Sequence, residues 1–180
     1  MRITLVTGGA RSGKSRWAVA RARSLGGDAV SFVATALPSD EEMERRIRRH
    51  RAERSDAWET LEAGHEAAAA LARARHPTVV LDCLTLLVSA AVLDGDAESE
   101  EEVLSRADQA VGEILEAARG REGRLLVVTN EVGMGVHPPT RLGRWFRDAQ
   151  GRANQRVGRE ADEVVLLVSG QPVVVKAPDR

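Results

Sequence analysis

Five apolar runs recur along the chain: RITLVT at 2–7, AVSFVAT at 29–35, TVVLDC at 78–83, RLLVVTN at 124–130 and EVVLLVS at 163–169. Each is short, rich in Val, Ile and Leu, and nearly continuous in its apolar character. That is the pattern of a strand buried on both faces rather than one with a wet side. Between the runs lie Ala-, Arg- and Glu-rich stretches of helical composition, over about 14–25, 40–54, 65–75, 84–93, 99–119 and 139–158. Strands alternating with helices predict an α/β fold, a mostly parallel sheet flanked by helices. The tail VLLVSGQPVVVKA departs from this rhythm: it reads as two strands around Gly170-Gln171 and predicts a C-terminal antiparallel hairpin.

Local punctuation agrees with these elements. Ser39-Asp40 precede EEMERR, Pro138-Pro139 precede TRLGRWF, and Asp94-Gly95-Asp96 separates two helical patterns. No internal repeat and no linker interrupts the alternation. With 180 residues, the chain is expected to form one domain, residues 1–180, of a size that buries about 70% of its unfolded surface.

Between the first strand and the first helix stands Gly8-Gly9-Ala10-Arg11-Ser12-Gly13-Lys14-Ser15, which fits the spacing G-x-x-x-x-G-K-[ST]. In that pattern the glycines permit a tight turn whose backbone N–H groups face phosphate oxygens. The lysine pairs their charge, the Ser hydroxyl can ligate Mg²⁺, and the helix N-terminus adds positive potential. Composition sharpens one position. All but two of the 26 basic residues are arginine, so a lysine at 14 stands out; a compact ammonium fits between phosphate oxygens where a planar guanidinium does not. A second carboxylate on the metal side is expected at the end of another buried strand, and TVVLD offers Asp82. The same residue would also serve as an N-cap for LTLLVSAA, worth about 1 kcal/mol, and the two uses are compatible. The spacing thus points to a nucleoside triphosphate with a divalent ion held by Ser15 and Asp82. It does not choose a reaction, because the same cradle serves kinases, hydrolases and motors.

Charge narrows the partners. The formal net charge is −1, so no global field recruits nucleic acid or an anionic membrane, and any polyanion is held locally. The single cysteine, Cys83, excludes an intrachain disulfide and fits a reducing compartment. The chain enters its first strand pattern at once and no apolar run approaches about 18 residues, so a cytoplasmic location without a membrane span is expected.

Residues 40–54, DEEMERRIRRHRAER, cluster arginines and invite a nucleic-acid reading. Glu41 with Arg45, Glu42 with Arg46 and Glu44 with Arg48 are, however, i,i+4 pairs in the favourable order, and account for much of that charge as a solvated face. The opposite face carries Met43, Ile47, His50 and Arg54 at spacings of 4, 3 and 4, a stripe that should point inward. From spacing alone, a histidine there is more often a satisfied structural residue than a catalyst. His65, His76 and His137 form no metal-ligand spacing with it.

Taken in order, VTGGARSGKSRWA, FVATA with DEEMERRIRRHRAER, WETLE, LLVVTNEVGMGVHP, RLGRWFRDAQGRANQ and ADEVVLLVSG resemble the bifunctional adenosylcobinamide kinase/adenosylcobinamide-phosphate guanylyltransferases of cobalamin biosynthesis. The resemblance spans nearly the whole chain, and it implies a P-loop, RecA-like sheet. It reverses the structural reading of the histidine: His50 matches the residue that becomes guanylylated in that family. It places nucleotide contacts at Gly8, Gly9, Ala10, Arg11, Ser12, Gly13, Lys14 and Ser15, at Ala34, Thr35 and Ala36, at Arg51, Ala52, Glu53 and Arg54, and at Glu62 and Asp82. Where relatives carry His-His this chain has Arg49-His50, and where they carry Arg-Pro it has Arg54-Ser55; neither change removes a reactive group.

The activities implied are a kinase step and a transferase step. In the first, the terminal phosphate of ATP or GTP moves to the hydroxyl of a corrinoid, adenosylcobinamide. In the second, a histidine attacks the α-phosphorus of GTP and passes GMP to adenosylcobinamide phosphate. Imidazole suits that role because its ordinary pKa of about 6.5 leaves it largely neutral near pH 7.5. Relatives form homotrimers. The alternatives are a monofunctional small-molecule kinase, which keeps the loop but forms no covalent adduct, and a RecA-like nucleic-acid-dependent ATPase, which the balanced charge disfavours. TNEVGMG, at the carboxyl edge of a parallel sheet, is expected to contact substrate or a second subunit.

Overall fold

The hydrophobic runs become the middle of one seven-stranded sheet. The computed structural model describes residues 1–38, 40–93 and 97–177, and Arg46 by its backbone alone. The strands are β1 (Arg2–Gly8), β2 (Val30–Ala34), β3 (Glu59–Glu62), β4 (Thr78–Asp82), β5 (Arg124–Val128), β6 (Glu163–Val168) and β7 (Gln171–Lys176), in the spatial order β3-β2-β4-β5-β1-β6-β7. All pairings are parallel except β6 with β7. The helices are α1 (Lys14–Gly26), α2 (Glu41–Ala52), α3 (Ala67–Arg73), α4 (Leu84–Leu93), α5 (Glu100–Arg119) and α6 (Arg141–Glu160). No helix among the described residues is long and apolar enough to cross a membrane.

Successive residues of the central strands serve opposite faces, as the pleat requires. Leu5, Val79, Leu81, Leu125 and Val127 pack with α3, α4, α5 and α6 on one side. Val6, Phe32, Val80, Leu126 and Val128 pack on the other with Ala18 and Ala22 of α1 and with Trp58. Every residue of β2 is buried, which is why these runs show no alternation. Each fully buried Val, Leu or Phe contributes about 1.5–3 kcal/mol.

Helix starts follow the sequence signals closely. Asp40 accepts from Met43 N at 2.8 Å to cap α2, Ser99 caps α5 through Glu102 N, and Thr140, just past the two prolines, caps α6 through Gly143 N. The Glu41–Arg45 and Glu44–Arg48 pairs form at 3.5 and 3.4 Å. The Glu42–Arg46 pair, Ser39 and Asp94-Gly95-Asp96 lie outside the described residues. Lys176, at the end of β7, directs its ammonium onto the final carbonyls of α6, those of Gly158, Arg159 and Ala161.

Three local expectations are corrected. ETLE forms an edge strand, β3, where no apolar run announced one: three of its four residues are polar and none is fully buried. The helix expected over 65–75 is confined to α3, since Gly64 has a positive φ of 50° and Ala74 is already extended. The hairpin turns at Ser169-Gly170, one residue earlier than Gly170-Gln171. Both turn residues have positive φ, 51° and 81°, the backbone twist that suits a two-residue connection.

Candidate active site

The phosphate loop leaves the sheet at Gly8, where a side chain is impossible: a Cβ would stand 2.6 Å from Leu167 O and 2.8 Å from Ser12 Oγ. Arg11 and Gly13 take positive φ, 57° and 98°, curling the loop before α1 begins. The hairpin turn braces it from above, Gly170 N donating to Ser12 O at 2.9 Å. Lys14 is 8% exposed, and its Nζ donates to Gly9 O at 2.6 Å, so the ammonium lies across the loop. The α1 N-terminus has no side-chain cap and no acidic residue in its first turn. Its orphan N–H groups and its positive end therefore face the space the loop encloses. Ser12 Oγ is buried without a hydrogen-bond partner among the described residues.

A second concavity, of about 350 Å³, opens at the carboxyl ends of β2 and β4. Its wall is α2. Met43, Ile47 and His50, the stripe read from the sequence, all line it, together with Arg51, Arg54, Glu62, Asp82 and Asn130. No described side chain of α2 is fully buried, so the stripe is apolar because it faces a cleft rather than the core. The Arg51–Glu62 ion pair across the mouth is 3.7 Å long with both partners more than 60% exposed, so it adds little stability.

The floor is more tightly held. The Arg54 guanidinium lies 3.4 Å from the centroid of the Phe32 ring. Burial lowers its pKa to about 10 against the opposing pull of Asp82, and it stays cationic at neutral pH. Thr35 joins the strand ends: its Oγ1 donates to Cys83 O at 2.8 Å and accepts from Cys83 N at 2.7 Å, while its own N–H donates to Asp82 O. The Asp82–Cys83 peptide is cis. Burial first, and the neighbouring Asp82 carboxylate second, push the Cys83 thiol up to about 11, so it stays protonated and is no nucleophile.

The structure thus gathers His50, Arg51, Arg54, Glu62, Asp82, Ala34 and Ala36 into one cleft, and Gly8, Gly9, Ala10, Arg11, Ser12, Gly13, Lys14 and Ser15 into the adjoining loop. Thr35, Ala52 and Glu53 line neither the cleft nor the loop: Thr35 is committed to Cys83, and Ala52 and Glu53 sit exposed at the end of α2. Residues not singled out by the sequence, among them Thr60, Thr85 and Leu86, complete the lining. Thr85 and Leu86 had one signal, their position in the first turn of α4 just beyond the carboxyl end of β4, whereas Thr60 lies within β3.

A family model described as cobinamide kinase / cobinamide phosphate guanyltransferase matches residues 4–175. The bifunctional adenosylcobalamin biosynthesis protein CobU of Escherichia coli strain K12 is 39% identical over 184 aligned positions, covering 97% of this chain and 99% of its own length. The protein of that name from Salmonella typhimurium strain LT2 is 38% identical with the same coverage. CobP of Pseudomonas aeruginosa, also called a bifunctional adenosylcobalamin biosynthesis protein, is 38% identical and covers 96% of each chain. Among solved structures, an ATPase domain superposes with a TM-score of 0.57 at 13% identity, covering 99% of this chain and 78% of that one; this is a likeness of fold alone.

Proposed function

The chain belongs to the cobinamide kinase / cobinamide phosphate guanyltransferase family, and we propose that it carries out both reactions of that name within one domain, residues 1–180. It phosphorylates adenosylcobinamide with ATP or GTP, then transfers GMP from GTP to adenosylcobinamide phosphate, giving adenosylcobinamide-GDP. The observation that carries this reading is the α2 stripe turned into the cleft. It brings His50 into one cavity with Arg48, Arg51, Arg54 and the strand-end carboxylate Asp82.

In the kinase step the loop amides, the α1 N-terminus and Lys14 bind the triphosphate and stabilise charge on the transferring group, so positioning and electrostatics supply most of the catalysis. The buried Ser12 hydroxyl, unpartnered among the described residues, is a further group that a bound phosphate would satisfy. In the transferase step a ring nitrogen of His50 attacks the α-phosphorus, the bond to the pyrophosphate oxygen breaks, and a histidine phosphoramidate forms. A phosphate oxygen of the corrinoid acceptor then displaces the imidazole, restoring His50. Arg51 and Arg54, which line the same cleft, bind the phosphate oxygens during both displacements in this reading.

Ser15 and Asp82 would hold Mg²⁺. Both are hard oxygen donors, and among the described residues no cluster of three or more His, Cys, Asp or Glu would bind a metal by itself; an ion completed by phosphate and water suits Mg²⁺. When bound, it neutralises charge on the phosphates. A cytoplasmic homotrimer belongs to the same reading.

Incubation with α-labelled GTP tests it. The wild-type chain is expected to retain label through denaturation, and His50→Ala to retain none. Persistent label on His50→Ala would remove His50 from the mechanism. Lys14→Ala is expected to weaken both ATP and GTP binding; undiminished affinity would mean that the loop is not the cradle.

A further inference from the structure

Behind the cleft lies a polar network that plays no part in the mechanism above. Thr129, at the end of β5, is fully buried. Its Oγ1 donates to Asn154 Oδ1 at 2.7 Å and accepts from Gln150 Nε2 at 2.9 Å, and Gln150 Nε2 also reaches Asn154 Oδ1 at 2.8 Å. Asn154 turns its own amide outward, Nδ2 donating to the backbone carbonyl of Asn130 at 3.0 Å. From the opposite side the Asn130 N–H donates to Thr85 Oγ1, in the first turn of α4, at 2.8 Å. One residue on, Glu131 N donates to Gly8 O at 3.0 Å. The main chain at Asn130 is therefore tied to α6, to α4 and to the first glycine of the phosphate loop.

Its side chain is treated differently. The Asn130 carboxamide makes no hydrogen bond to any described residue, and it lines the cleft with Asp82 and His50. A carboxamide brings two N–H donors without charge. Packing alone does not account for the apparatus behind it: Gln150 is fully buried, yet its Oε1 has no partner among the described residues, and an incompletely satisfied buried network is a poorer stabiliser than an apolar core.

We propose that Asn130 is a substrate-contacting residue whose Nδ2 donates to a phosphate oxygen of the nucleotide in the cleft, and that Asn154 and Thr85 are positioning residues that fix it there. The inference rests on the reading that this cleft takes a nucleotide. A donor whose main chain is held by α6 and α4, with the next residue tied to Gly8, needs little backbone reorganisation when the phosphate arrives, and it sits at the junction between the loop and the α2 wall.

Equilibrium titration of GTP into the full chain, alongside label uptake from α-labelled GTP and a thermal melt, tests the proposal. Asn130→Ala leaves the network intact and is expected to weaken GTP binding by about 10- to 100-fold, the range for a hydrogen bond to a charged group. Its melting midpoint should not move. Asn130→Asp, which turns the donor into an anion, should weaken binding more. Asn154→Ala and Thr85→Val should also weaken binding, and that loss should vanish when either is combined with Asn130→Ala, since a positioning residue has nothing left to position.

Binding by Asn130→Ala within twofold of wild type would overturn the contact. A loss for Asn154→Ala that persists in full beside Asn130→Ala would overturn the positioning role. Wild type that binds GTP without taking label would sink the guanylyl transfer while leaving the Asn130 comparison readable; wild type that binds no GTP would overturn both.

Discussion

Replacing Thr35 with Val deletes one hydroxyl and keeps the shape of the side chain. Thr35 is only 5% exposed, and its hydroxyl makes two hydrogen bonds to a single neighbour, Cys83. Without it, the part-buried Cys83 N–H at the end of β4 loses its partner, while the Cys83 carbonyl keeps the Leu86 N–H. One such group costs about 1–3 kcal/mol, so a loss of about 2 kcal/mol is expected. For a chain of this size ~1 kcal/mol corresponds to a shift of about 2–4 °C, which makes the expected drop in melting midpoint about 4–8 °C. Thr35→Ser keeps both bonds and should lose little. The measurement is a thermal or urea melt of the three proteins, with GTP binding recorded in parallel. A Thr35→Val chain that melts within about 2 °C of wild type but binds GTP poorly would refute the clasp and return Thr35 to the nucleotide contacts that the resemblance implied.

Two further outcomes follow from local geometry. Burial alone would raise the Glu59 carboxyl, but the Ser31 hydroxyl and the Arg75 N–H and guanidinium outweigh it and hold the pKa at about 2. Because the folded value lies below the ordinary one, the stabilisation is present above the ordinary value near 4.5 and is lost as pH falls toward about 2. Wild type should lose stability more steeply than Glu59→Gln across that window, and superimposable pH–stability curves would contradict the assignment. Gly8→Ala places a methyl carbon 2.6 Å from Leu167 O, so both the melting midpoint and ATP binding should fall; an unaffected loop would show that the backbone there relaxes freely.

The parts of this fold that were legible in the sequence are those where one force dominates. Central strands such as VSFVA and TVVLD are buried on both faces, and nothing but continuous apolarity satisfies that environment. β3 was hidden because an edge strand needs only half a buried face: ETLE owes its place to main-chain pairing with β2 and to Glu59 accepting from Ser31. The α2 stripe was visible, but a hydrophobic pattern says which positions leave water, not what they meet, and the stripe meets a cleft. His50 alone would have passed for a core residue without the motifs around it. Gln150 and Asn154 gave no signal because, on a helix as polar as α6, they look like solvated positions; only the arrival of Thr129 against them reveals a network.

Lys176 shows what a rare residue can reveal. In a chain whose basic residues are otherwise almost all arginine, its ammonium meets three carbonyls where α6 ends, an arrangement for three donors spread tetrahedrally about one atom. A guanidinium holds its donors in a plane and is suited to forked acceptors instead. Lys176→Arg, neutral by any charge count, therefore exchanges a tripod for a flat fork at the point that fastens the edge strand to the last helix. At such a site the shape of the cation matters as much as its charge.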